Sequence, residues 1–118
     1  MARPDRRPQG NGASASDARQ HLAALAGETL ISVLDGVGHR ILGLSRDEVY
    51  VMTPGAPLGK PVPIAKIQAA FDRLVAGEEI HLTDPALGED GAFVSAALLS
   101  LPGAELLHGP ARVALRAD

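Results

Sequence analysis

Four prolines fall within ten residues, at Pro54, Pro57, Pro61 and Pro63, in the segment PGAPLGKPVP. Proline fixes φ and has no amide donor, so this segment cannot lie inside a helix or in a central strand. It predicts a stiff, extended loop between the elements before Pro54 and those after Pro63. The absence of cysteine adds a second constraint. No disulfide can staple the chain, thiolate zinc and iron–sulfur sites are excluded, and its 118 residues must cohere by burial. That length accommodates one domain, and the 46% hydrophobic and 21% charged composition is that of a globular protein. An uncrosslinked chain suits a reducing, cytoplasmic setting. No apolar run approaches the roughly 18–20 residues that would cross a bilayer, so no membrane partner is expected.

Residues 1–20 differ from the rest. Arg3, Arg6, Arg7 and Arg19 stand against Asp5 and Asp17, a net charge of +2, and almost nothing after Met1 is apolar. Such a stretch cannot offset the cost of ordering it and reads as a disordered basic tail. No apolar core and cleavage site follow the basic residues, so a secretory leader is not expected. A short helix fits Ser16 to Ala26, with Ser16 as N-cap, an apolar face of Leu22, Leu25 and Ala26, and Gly27 as its stop. The folded domain is expected over 27–117. Glu28 to Leu34 is argued equally well as helix or strand. Asp35-Gly36 and Gly38 mark a turn. His39–Leu44 and Glu48–Thr53 then read as a hairpin, with Val49, Val51 and Thr53 alternating along its second strand.

After the prolines, Ile64, Ile67, Phe71, Leu74 and Val75 recur at helical spacing, predicting a helix from Ile64 to about Ala76 with Pro63 in its first turn and Gly77 ending it. Glu78 to Leu82 is a short strand with Ile80 and Leu82 inward. A second helix starts at Asp90 as N-cap and carries Phe93, Val94, Ala97, Leu98 and Leu101 to Pro102-Gly103. Ala104–Leu107 and Ala111–Leu115 close the chain as two strands. Phe71 and Phe93, the two phenylalanines, are expected to meet in the core. The succession predicts an α+β fold, a winged-helix-like domain with an additional N-terminal β-hairpin. A small α/β sandwich would use the same elements.

Little in the sequence points to catalysis. Gly55 to Lys60 imitates a phosphate loop, but it has three residues between its glycines rather than four, and Pro61 replaces the Ser or Thr. His21, His39, His81 and His108 match no metal-ligand spacing, so no metal site is expected. Ser95 sits in an alanine-rich segment without the glycine-flanked elbow of a serine hydrolase. The pairs Glu78-Glu79 and Glu89-Asp90 resemble paired carboxylates, yet Glu78 flanks a helix end and Asp90 precedes an apolar helix, where Asp caps. The reading is therefore of a protein without enzymatic activity or cofactor.

Charge points elsewhere. Beyond residue 20 there are seven basic and twelve acidic residues, about −5, but Arg40 to Arg73 carries five cations against three acids. Arg40, Arg46, Lys60, Lys66 and Arg73 are the candidate phosphate contacts for duplex DNA. The strands and loop that hold Arg40, Arg46 and Lys60 are expected to present one face. Gly88-Glu89-Asp90-Gly91, at the start of the second helix, would repel phosphate and opposes the usual winged-helix docking.

The stretch from Val49 to Gly103 resembles a winged-helix-like domain found beside HNH endonuclease and other defence modules in high-GC Gram-positive bacteria. The resemblance rests on the strand Val49–Thr53, the loop Pro57–Ile64, Gln68–Leu74, Gly77–Ile80, Ala92–Leu98 and Leu101–Gly103. It implies DNA recognition or an accessory role in restriction-type defence. The family pattern has Ser before Pro57 and Arg-Ser before Ala92, whereas this chain has Ala56 and Asp90-Gly91, removing side chains that could touch a ligand. The alternative function is a protein–protein adaptor or homodimerisation domain that works through a strand edge or the proline loop.

Overall fold

The computed structural model describes residues 17–116. Positions 1–16 of the expected tail, including the proposed Ser16 cap, lie outside the described residues. Positions 17–20 begin a helix instead, so the folded body starts ahead of residue 27. Helix α1 spans Ala18–Ala24, and Asp17 caps it, its carboxylate accepting the Gln20 amide at 3.1 Å. Seven residues are too few to hold a helix in water. Burial of Ala18 and Leu22, and an Ala18 amide donated to Gln68 Oε1 at 2.8 Å, fix it to the body. Its apolar face is narrower than expected, since Ala26 is exposed.

Four antiparallel strands follow in the order β1-β2-β3-β4: Thr29–Ile31, Gly38–Leu44, Glu48–Thr53 and Ala56–Pro63. The ambiguous Glu28–Leu34 segment contains the three-residue strand β1. It stops because Ser32 and Asp35 side chains accept the Leu34 and Val37 amides, turning the backbone. The hairpin β2–β3 lies where the alternation placed it, with Ile41 opposite Val51 and both buried.

The proline segment is not a free connection but the edge strand β4. Its register sets Val62 opposite Val49, Pro61 opposite Tyr50 and Lys60 opposite Val51. The Ile64 amide donates to Asp47 O at 2.9 Å, so even-numbered positions direct their amides to β3 while Pro61 and Pro63 face away from it. Missing donors there cost no ladder bond, which is how an edge strand tolerates proline.

Helix α2, Ile64–Val75, buries Ile64, Ile67, Ala70, Phe71 and Leu74. Val75 departs from the expected face: it is 52% exposed at the last turn. The short strand β5, Ile80–His81, has buried Ile80 followed by buried Leu82. A 3-10 segment, Pro85–Asp90, opens with the Asp84 carboxylate on the Ala86 amide at 2.8 Å. It leads into α3, Gly91–Leu99. Helix α3 is buried at every position from Phe93 to Leu98, so it is a central core helix rather than an amphipathic one. Strands β6, Ala104–Leu107, and β7, Arg112–Leu115, complete a second antiparallel sheet ordered β5-β7-β6. The protein is thus α+β, with three α-helices and two sheets among the described residues. No helix among them is long and apolar enough to cross a membrane.

Phe71 and Phe93 both lie in the single core cluster. The aromatic neighbour of each is a histidine rather than the other phenylalanine. His21 meets Phe71 edge-on with ring centroids 5.8 Å apart, and His39 lies 5.9 Å from Phe93.

Candidate interaction surface

The five candidate cations do not gather on one face. Lys60 lies opposite the buried Val51 and therefore on the inner side of the sheet, whereas Arg40 lies opposite Met52 on the outer side. Arg46 is in the turn between β2 and β3.

Three of the five already hold carboxylates. Lys60 Nζ is 2.9 Å from Asp90 Oδ1 and Lys66 Nζ is 3.5 Å from Asp90 Oδ2. Arg73 reaches Glu78 at 3.0 Å and Asp84 at 3.2 Å. The Glu78 and Asp84 contacts raise the Arg73 guanidinium above its ordinary value, and the Ala86 amide followed by Arg73 holds the Asp84 carboxyl below its own. Asp90 stands at the N-cap of α3 as expected, but its side chain makes no capping bond. Both its oxygens are instead engaged by lysines from β4 and α2. The sequence spacing conceals that role, since the partners are brought together only by the fold. Arg40 and Arg46 are exposed and have no carboxylate within 4 Å among the described residues.

The remaining reactive residues are dispersed through the fold. Glu78 and Glu79 diverge, one to Arg73 and the other to Arg112 at 2.7 Å. Ser95 is buried, its hydroxyl donating to Ala92 O at 2.9 Å. His21 Nε2 lies 2.9 Å from Ser100 Oγ, and the Ser100 hydroxyl donates to Ala97 O at 2.6 Å. The imidazole is thus the donor in that pair. His39, which the sequence set at a strand border, is buried between the sheet and α3, with neither ring nitrogen hydrogen-bonded among the described residues. His81 and His108 are exposed. No three His, Asp or Glu side chains converge among the described residues.

What the sequence did not reveal is the outer face of the four-stranded sheet. All three helices pack on the inner side with Ile41, Val49, Val51 and Val62 in one core. The outer side is left open. There Ile31 is 61%, Leu42 46% and Tyr50 36% exposed. Beside them runs a groove of about 360 Å³ lined by Thr29, Gly38, Arg40, Met52, Pro54 and Pro57. Gly38 keeps it open, because a Cβ there would come within 3.0 Å of Thr29 Cγ2. Leu42 sits at the bulge between Ile41 and Gly43 and leans over Gly59 of β4. The face carries Ile31, Leu42, Tyr50 and Met52, with Arg40 across from Met52 and Glu48 at the other end of β3.

Comparison with protein-family models, with curated proteins and with solved structures finds no match.

Proposed function

We propose that this protein is a non-catalytic interaction module whose outer sheet face is covered by another protein surface. The observation that carries the reading is the exposure of Leu42 and Tyr50, and of Ile31 further along, on the open side of a sheet whose other side packs against the helices. A half-covered antiparallel sheet ordinarily sets polar residues outward, and here Ile31, Leu42 and Tyr50 stand outward among the polar ones. A photo-crosslinking residue placed at Leu42, with the same residue at exposed Ala65 of α2 as control, tests this in cells. Position 42 should yield a protein adduct that position 65 does not, and absence of any such adduct would defeat the reading.

A second reading is duplex-DNA recognition in a restriction-type defence system, by a winged-helix-like domain. It is supported by the β5-β7-β6 order behind a helix–strand–helix succession and by Arg40 and Arg46, which hold no carboxylate among the described residues. The carboxylates on Lys60, Lys66 and Arg73, and the burial of α3, weigh against it. Affinity for duplex DNA should then fall steeply with salt. No shift of DNA at roughly micromolar protein and low salt would end this reading.

A further inference from the structure

The outer face has a polarity of its own. Glu48, Tyr50 and Met52 alternate on it along β3, and Arg40 lies directly across from Met52 on β2. Glu48 is four residues from Met52, or about 13 Å along the strand. The face therefore carries a cation at one end, an anion at the other, and Leu42 and Tyr50 between them. Neither end charge is neutralised among the described residues. Glu48 receives only the Tyr50 hydroxyl, at 3.4 Å. Lys60, Lys66, Arg73, Arg112 and Arg116, by contrast, each hold a carboxylate.

Resting on the interaction reading above, we propose that the occupant of this face is a second copy of the chain. The two sheets pack about a two-fold axis that lies between them, parallel to both sheet planes, and runs across β2 and β3. That operation reverses the strand direction and turns one face onto the other. Arg40 then stands over Glu48 of the partner subunit, Glu48 over Arg40 of the partner subunit, and the apolar centres meet. One charge of each sign, at opposite ends of an apolar patch, is the pattern that satisfies itself twice in an isologous pair. A phosphate backbone would be repelled by Glu48 and would leave Leu42 and Tyr50 uncovered. Pairing by strand addition is disfavoured at β4, where Pro61 and Pro63 remove outward donors, and is limited at β1 to three residues. Packed sheets cross at about 30°, which brings diagonal neighbours such as Arg40 and Glu48 within reach. The face measures about 15 by 20 Å, less than the ~800 Å² per partner of a standard interface. The dimer is accordingly weak and concentration-dependent.

Sedimentation velocity of the full chain over roughly 1–500 μM, at low salt, tests the assignment. The chain should dimerise, and Arg40→Glu and Glu48→Arg should each weaken association by about tenfold or more, because each sets like charges together at both ends. An equimolar mixture of the two variants should recover association as mixed dimers, and so should the double variant. Both positions are surface residues, and circular dichroism confirms that the variants fold. A chain that stays monomeric throughout, a dimer indifferent to both reversals, or single losses without recovery in the mixture would each overturn the proposal. The Leu42 crosslink separates this failure from that of the broader reading. An adduct of twice the chain mass supports the second copy, an adduct with a different protein overturns the second copy alone, and no adduct overturns both.

Discussion

Lys60 Nζ and Asp90 Oδ1 stand 2.9 Å apart, tying the edge strand β4 to the start of α3, while Lys66 of α2 reaches the other oxygen of the same carboxylate at 3.5 Å. One side chain, 11% exposed, thus joins three elements. Asp90→Asn keeps the shape and removes the charge that both lysines share. It should lower the stability by about 1–2 kcal/mol, less than a fully buried pair because Lys60 is partly solvated. Urea unfolding measures the change, and an unaltered midpoint would show that the contact is idle.

Stability should fall on mild acidification. Burial lowers the His21 imidazole below its ordinary 6.5. Burial likewise lowers His39, with Asp35 opposing that shift and Lys60 adding to it. A folded-state pKa below the unfolded one means that the unfolded chain binds more protons between the two values. Stability is then complete above about 6.5 and declines as pH drops toward the folded values. Urea midpoints at about pH 7.5 and 5.0 should show the drop, and His39→Leu, which leaves no buried imidazole to charge beside Phe93, should reduce it. An unchanged pH dependence in that variant would contradict the buried, unpartnered ring.

Neighbouring residues at the end of α2 should respond oppositely. Leu74 is 1% and Val75 52% exposed. Leu74→Ala should cost about 2–5 kcal/mol, and Val75→Lys should change stability by no more than about 0.5 kcal/mol. Equal costs in thermal or urea unfolding would mean the last turn is rotated.

Gly59 has φ +89° and would bring a Cβ within 2.8 Å of Leu42 Cδ1. Gly59→Ala should therefore destabilise by about 1–2 kcal/mol, from left-handed strain and the displaced leucine together. Since Leu42 lies on the proposed contact face, the same variant should also weaken self-association, read by sedimentation.

Pro61 faces outward on an edge strand. Pro61→Thr should leave the urea midpoint within about 0.5 kcal/mol yet raise light scattering on storage, because it restores an outward amide to which another strand can pair. A large loss of stability would mean the ring packs against the body.

Much of the fold was legible along the chain. Val49 and Val51 alternate, Ile64 to Leu74 repeat at helical spacing, and glycines such as Gly77, at φ +98°, end helices. These are local signals, each written within a few residues. The proline segment misled because proline content reports donors removed, not the direction in which the remaining amides point. The candidate cations misled in a related way: a count of charge between Arg40 and Arg73 says nothing of which carboxylates the fold will bring to them. Asp90 reads as a cap by its position, yet its oxygens go to Lys60 and Lys66.

By itself, then, the sequence determined most of the segments that become helix or strand, β1 and the edge strand β4 excepted, since φ/ψ preference and side-chain periodicity act over one or two turns of chain. Only the tertiary structure decided that all the helices lie on one side of the four-stranded sheet. It thereby decided that Ile31, Leu42 and Tyr50 stay in water, with Arg40 and Glu48 beside them and without an ion pair among the described residues. Contacts between distant residues depend on how layers stack, and both faces of a strand can be apolar until packing selects the one to bury.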